Sequence, residues 1–222
     1  MPGKTTEVTA LPALLAPFDL TGVTVTADAL HTTREQARYL VEEKNAHFVL
    51  VVKRNQPRLH AALRALPWKG CTTVRYDREQ GHGRRETRSV RVLTVTGLGL
   101  DFPHVTQAVK IHRYRTDAKS GKTTRQTVHA ITDTASHQAS PQRLGQLARG
   151  HWGIESLHHV RDTTFAEDAS KVRTGHGPAN MATLRNLAVN TLRDAGYGSI
   201  AAGLRQASYV PFTHPLDPIG LA

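Results

Sequence analysis

The chain has 222 residues, enough for one large domain or two small ones. Its one cysteine, Cys71, excludes an internal disulfide, and no apolar run approaches the length of a membrane span. The net charge is +11, and it is uneven: 17 of the 29 Lys and Arg but 5 of the 18 Asp and Glu lie between Lys53 and Arg125. A basic block on an otherwise neutral chain suits a polyanion such as nucleic acid, although an arginine-rich solvated surface gives the same count.

Leu11, Leu14, Leu15, Phe18 and Leu20 suggest a short helix within residues 1–20, which lack a signal-peptide pattern; a soluble cytoplasmic protein is expected. A first β-type run spans 23–28 and ends on Asp28. Carboxylates at strand ends face the crevice where α/β sheets hold ligands and metals, but a turn or helix-entry role also fits. Thr32-Thr33 before Glu35-Gln36 forms overlapping capping boxes and predicts a helix over 33–44. His47–Val52 is a continuous apolar run, as in a strand buried on both faces. Strand, helix, strand implies a parallel βαβ unit. It exits through Lys53-Arg54-Asn55-Gln56-Pro57, where Lys53 and Asn55 either touch a DNA phosphate or solvate the strand end; a helix over 57–66 follows.

Residues 72–78, 86–96, 105–115 and 124–133 read as four strands. In the third, Val109 and Ile111 alternate with Lys110, His112 and Tyr114, the half-buried pattern of an antiparallel sheet. This segment is expected to expose Arg84, Arg85, Arg88, Arg113 and Arg115 as a DNA-binding face. Ser140-Pro141 opens a long helix, with Ser as N-cap and Pro at the first helical position. Leu144, Ala148, His151 and Glu155 then share one side of it, and Asp162 returns there two turns later. A carboxylate in line with Leu144 and Ala148 needs a cation: an arginine, or a metal ion. A second helix over 179–194 carries Met181, Leu184, Leu187, Ala188 and Leu192 as its expected core stripe. The stretch past 206 is expected to be loop-like.

Several of these segments together resemble a family. They include Val25-Thr26-Ala27-Asp28-Ala29-Leu30-His31, Val52-Lys53-Arg54-Asn55-Gln56-Pro57, Leu66-Pro67-Trp68 and Gly81-His82-Gly83-Arg84. Further on come Arg149-Gly150-His151-Trp152-Gly153-Ile154-Glu155, Phe165-Ala166-Glu167-Asp168-Ala169-Ser170 and Ala182-Thr183-Leu184-Arg185-Asn186-Leu187-Ala188. The chain resembles DDE-type insertion-sequence transposases of the ISAs subgroup, the H-repeat-associated proteins.

The resemblance implies an α/β, RNase H-like fold, here incomplete, with a parallel or mixed sheet, flanking helices and an inserted antiparallel β-rich subdomain. On that basis residues 1–69 are the N-terminal part of the catalytic core, 70–135 the basic insertion, 136–205 the C-terminal helices of the core and 206–222 a tail. It implies two-metal phosphodiester hydrolysis and strand transfer with Mg²⁺ or Mn²⁺. Asp28 matches the second catalytic and metal-holding carboxylate and Glu155 the third. His151 and Asp162 occupy the slots of accessory residues, and Arg149 joins Lys53, Asn55 and the five arginines as a DNA contact. The partner implied is the double-stranded DNA of transposon ends, bound in the bacterial nucleoid, with a homodimer as one arrangement of that complex. The family's first catalytic Asp precedes the segment that matches Lys4, and Asp19, in Pro17-Phe18-Asp19, is a poor substitute. The expectation is therefore a truncated chain, inactive in strand transfer as it stands. The alternatives are a remnant that only binds DNA and an unrelated metal-dependent nuclease.

Overall fold

The apolar run His47–Val52 forms a strand buried from Phe48 to Val52 in a computed structural model of the protein, which describes residues 7–81 and 83–209 apart from the side chains of residues 7, 8, 75, 76, 152, 154 and 155. Helix α1 is Glu7–Leu15, strand β1 is Thr24–Ala27, and a single 3₁₀ turn follows at Ala29–His31. Helix α2, Arg34–Arg38, runs into a π-turn at Tyr39–Glu43. Strand β2 is His47–Val52 and helix α3 is Pro57–Ala65. Four strands then follow: β3 Val74–Gly81, β4 Arg84–Thr94, β5 Gln107–Asp117 and β6 Thr123–Thr132. Helices α4 Pro141–Phe165, α5 Gly177–Asp194 and α6 Ile200–Tyr209 complete the described chain.

Local chemistry explains the boundaries. Thr33 caps α2 by accepting the amide of Gln36 at 3.2 Å, as its capping box predicts. The expected helix over 33–44 is α-helical only to Arg38, because Lys44 closes back onto the Tyr39 carbonyl five residues away. Ser140 Oγ accepts the amide of Arg143 at 3.2 Å and opens α4.

The six strands form one sheet in the order β1-β2-β6-β5-β4-β3. Strands β1 and β2 are parallel, with Ala27 opposite Leu50; every other pair is antiparallel. The four-strand meander thus continues the βαβ sheet through β6 on β2, with Val49 opposite Thr132. Asp133 fastens this junction by accepting the Phe48 amide at 2.7 Å and holding His47 Nδ1 at 2.6 Å.

The sheet buries two faces. On one, Phe48, Leu50, Val52 and Ile131 pack with Leu40, Leu59, Leu63 and Trp68 from the α2 and α3 side. On the other, Val49, Val90, Val109, Ile111 and Ala130 pack against Leu144 and Ala148 of α4. Leu144 is fully buried, so truncation to Ala would cost about 2–5 kcal/mol.

The chain divides into two units, residues 1–152 and 153–222, with the division inside α4. In the second unit, Val189, Leu192 and Ile200 form a small core with Leu157, Val160, Phe165, Tyr197 and Leu204. Helix α5 ends in a Schellman turn. The Tyr197 amide donates to Leu192, the Gly196 amide to Arg193, and Gly196 takes φ 84°, which suits glycine.

Two expectations are corrected here. The buried side of α5 holds Arg185, Val189 and Leu192, while Leu184 and Leu187 are 56% and 57% exposed. Arg185 reaches Glu167, a pairing that apolar spacing does not register and that goes with a different helix rotation. The chain past 206 is helical as far as Tyr209, because the Ile200–Tyr209 segment has its own buried positions at Ile200 and Gly203; residues 210–222 of the expected tail lie outside the described residues. Among the described residues no helix is long and apolar enough to cross a membrane.

Candidate active site and the charged faces of the sheet

Asp28 follows directly on the last residue of β1, at the carboxyl end of the parallel pair, and is half-buried. Its Oδ1 accepts the amides of Leu30 at 2.9 Å and His31 at 3.4 Å, so it caps the 3₁₀ turn. The helix-entry role is therefore real, yet it uses one oxygen; Oδ2 accepts no hydrogen bond among the described residues. Three side chains hold the surrounding backbone. Thr32 Oγ1, fully buried, lies 2.6 Å from the Val51 carbonyl and 3.1 Å from that of Asp28. Asn55 donates to the Ala29 carbonyl at 2.6 Å and Gln56 to that of Thr32 at 3.0 Å. Lys53 stands exposed at the end of β2. Asn55 is thus a brace for the Asp28 turn, joined by Gln56 and by Thr32, whose spacing had suggested a helix cap.

Asp19 is spoken for locally. Its Oδ1 accepts the Thr21 amide and hydroxyl, at 3.0 and 2.8 Å, and these bonds lower its pKa. Glu155 lies in α4, but its side chain lies outside the described residues, as does that of Trp152. His151 and Asp162 are half-buried, and His151 Nδ1 is buried without a hydrogen-bond partner. Among the described residues no three His, Cys, Asp or Glu side chains gather as metal ligands. Glu167 pairs with Arg161 and, at 3.2 Å, with Arg185, not with Lys171 or Arg173.

The arginines expected to form an exposed DNA face do not form one. Strand pairing puts Arg84, Glu86 and Arg88 of β4 beside Arg113 and Arg115 of β5. Glu86 is 3% exposed and accepts four guanidinium groups: Arg88 at 2.7 Å, Arg113 at 2.8 and 2.9 Å, Arg84 at 2.8 Å and Arg115 at 3.1 Å. The Arg113 hydrogen bonds, with the charges of Arg113 and Arg88, outweigh burial and hold its carboxyl down to about 2. Arg88 is 5% exposed and also reaches Asp77 at 2.7 Å and Glu79 at 3.2 Å. Burial works against its charge, but Glu79, Asp77 and Glu86 together raise its pKa. Arg149 of α4 pairs with the same Asp77 and Glu79, and its hydrogen bond is the main reason Glu79 titrates low.

Arg88 is therefore interior, Arg84 and Arg113 are half-buried, and Arg85 and Arg115 are exposed. The reason is register: three carboxylates share the α4 side of the sheet with five of the arginines, and a buried guanidinium is stable only when paired.

The fold defines a mixed α/β protein with a braced carboxylate at the carboxyl end of its parallel strand pair. Comparison with known proteins supplies the family. A family model for the transposase DDE domain matches residues 1–191, and the chain belongs to the DDE transposases, in their H-repeat-associated branch. "Putative transposase YncI" of Escherichia coli O157:H7 is 32% identical over 203 residues, 86% of this chain and 51% of that protein. "H repeat-associated putative transposase YhhI" of Escherichia coli K12 is 28% identical over 214 residues, 91% of this chain and 55% of that protein. The chain spans about half the length of these curated relatives.

Proposed function

We propose that this chain carries part of the catalytic apparatus of an insertion-sequence transposase that hydrolyses and transfers phosphodiester bonds of double-stranded DNA at transposon ends. The observation that carries the reading is Asp28. In a chain of this family, a carboxylate closes β1 beside β2 and keeps one oxygen without a hydrogen bond. We read β1, β2 and α4 as parts of an RNase H-like core, 1–69 with 136–205, into which 70–135 with strands β3–β6 is inserted.

Asp28 and Glu155 are the residues that would hold Mg²⁺ or Mn²⁺. Hard carboxylate oxygens suit such ions, whose chemistry is to activate a water or 3′-hydroxyl and to stabilise the leaving oxygen. Thr32, Asn55 and Gln56 keep the Asp28 turn in place for that task. Lys53, at the same strand end, is suited to a phosphate oxygen, and His151 and Asp162 to accessory roles on α4. Binding of two transposon ends would bring two such chains into one DNA complex.

The second reading, a chain that binds DNA without catalysis, draws on Asp28 already serving as a helix cap.

The test is Mn²⁺ binding followed by calorimetry, together with cleavage of terminal-repeat DNA. Asp28→Asn and Glu155→Gln should each weaken Mn²⁺ binding by tenfold or more, an effect on the order of 1.4 kcal/mol or above. Cleavage of terminal-repeat DNA, where it occurs, should be abolished by Glu155→Gln. Mn²⁺ binding unaffected by either substitution, or cleavage that survives Glu155→Gln, would refute the carboxylate assignment.

A further inference from the structure

Alternation along β4, β5 and β6 sends Arg91, Lys110 and Arg125 to the side opposite the Glu86 network. There, with Arg54 and with Arg64 of α3, they line a groove of about 750 Å³ between α3 and the strands. The residues lining it include no carboxylate, and none of these five cations pairs with one among the described residues. The contrast with the other face is direct: there three carboxylates meet five arginines, here five cations meet none.

The groove is also built, not merely charged. Arg91 is aimed by its own bonds, Nε to Thr73 Oγ1 at 2.6 Å and Nη1 to the Trp68 carbonyl at 3.1 Å. The Lys110 ammonium lies 5.5 Å from the Trp68 ring centroid. Burial and the charges of Arg91, Arg125 and Arg64 lower its pKa, the signature of cations crowded without a counter-ion. His129 sits on the groove floor, 5% exposed, edge-on to His60 with centroids 5.6 Å apart, and neither of its ring nitrogens has a hydrogen-bond partner. Burial and the nearby His60, Lys110 and Arg64 hold it down to about 4. Buried polar groups without partners are rare and costly, and a bound oxyanion would supply the missing acceptor.

We propose that this groove, on the α3 side of strands β4–β6, binds successive phosphates of a duplex DNA backbone. The proposal rests on the transposase reading for the choice of polyanion, and on the groove alone for the site. Five cations spread over α3, its entry and three strands suit a row of phosphates better than one small anion. Phosphates carry no base information, so contact through these cations is expected to be without sequence preference.

The test uses the full chain, a fluorescent 20-base-pair duplex of arbitrary sequence and a salt series read by anisotropy. Arg64 and Arg125 are exposed and hold no other side chain in place, so Arg64→Ala/Arg125→Ala should fold normally. Losing two phosphate contacts should weaken binding about tenfold or more at low salt and flatten the log–log salt slope by about 2. Arg115→Ala, on the opposite face, should change affinity less than about twofold. A Lys110→Ala chain provides a second groove variant and should weaken binding alone.

Unchanged affinity in both groove variants overturns the proposal, as does an equal loss in Arg115→Ala. A groove variant that loses affinity for polyglutamate but not for duplex overturns it too, in favour of an acidic protein partner. Asp28→Asn and Glu155→Gln are read by Mn²⁺ binding and the groove variants by duplex binding, so failure of the catalytic reading and failure of the groove are separately visible.

Discussion

Glu86→Gln should unfold the first unit more easily by an amount that the structure fixes from two directions. The side chain is 3% exposed and gathers Arg84, Arg88, Arg113 and Arg115. A carboxyl that titrates at about 2 in place of 4.5 stabilises the folded charged form by about 3 kcal/mol. Breaking a buried ion pair by removing one partner costs about 3–5 kcal/mol, because the other charge stays behind. Glutamine retains the shape and some hydrogen bonding, and Asp77 and Glu79 still compensate Arg88. The lower figure, about 3 kcal/mol, is therefore expected.

The sign with pH is equally definite. A carboxyl with a lowered folded pKa stabilises fully above its unfolded value, and that stability is lost as pH falls. The wild type should lose its advantage over Glu86→Gln between about pH 4.5 and pH 2. Urea denaturation of both chains at pH 7, 4.5 and 2.5, read by far-UV circular dichroism, measures the gap directly. An equal midpoint at pH 7 would refute the argument. So would a gap that persists undiminished at pH 2.5, since the loss would then be one of packing and not of charge.

Three further outcomes follow from single side chains. His129 is held neutral with a pKa near 4, so the folded state should lose about 3 kcal/mol as pH falls from 6.5 to 4; His129→Leu should not, as parallel acid titrations of stability will reveal. Thr32→Val removes the hydroxyl that meets the buried Val51 carbonyl and should cost about 1–2 kcal/mol, with weaker Mn²⁺ binding at Asp28 as a second readout. Glu167→Gln strips Arg161 and Arg185 of their shared carboxylate and should destabilise α5 by about 1–2 kcal/mol, seen as faster amide exchange over residues 177–194.

Most of the local architecture was legible because its causes are local. The uniformly apolar β2, the Thr33 and Ser140 caps and the alternation in β5 each state a conformation in a few residues, and the strands lie within about two or three residues of where those patterns put them. Asp28 was legible as a strand-end carboxylate for the same reason. Its braces were not. Thr32, Asn55 and Gln56 matter through bonds to carbonyls 19 to 26 residues away, and such bonds leave no periodicity. The rotation of α5 was hidden likewise, because Arg185 faces inward toward Glu167 while its apolar neighbours Leu184 and Leu187 face out.

The basic segment shows most clearly what a charge count omits. Between Lys53 and Arg125 the excess of cations is real, but a strand distributes its residues over two faces, and the sum does not say which. Arg-Glu-Arg at 84, 86 and 88 puts a carboxylate between two arginines on one side, and the β4–β5 register adds Arg113 and Arg115 to it. Those cations are consumed in folding: their hydrogen bonds go to Glu86, and releasing them for a phosphate would leave Glu86 buried and bare. Arg91, Lys110 and Arg125 occupy the other parity, where β4, β5 and β6 contribute no acid at all. Parity was readable once Val109 and Ile111 were seen to alternate with Lys110 and His112. Across all three strands together, the same parity separates the cations paired in folding from those the fold leaves without a counter-charge.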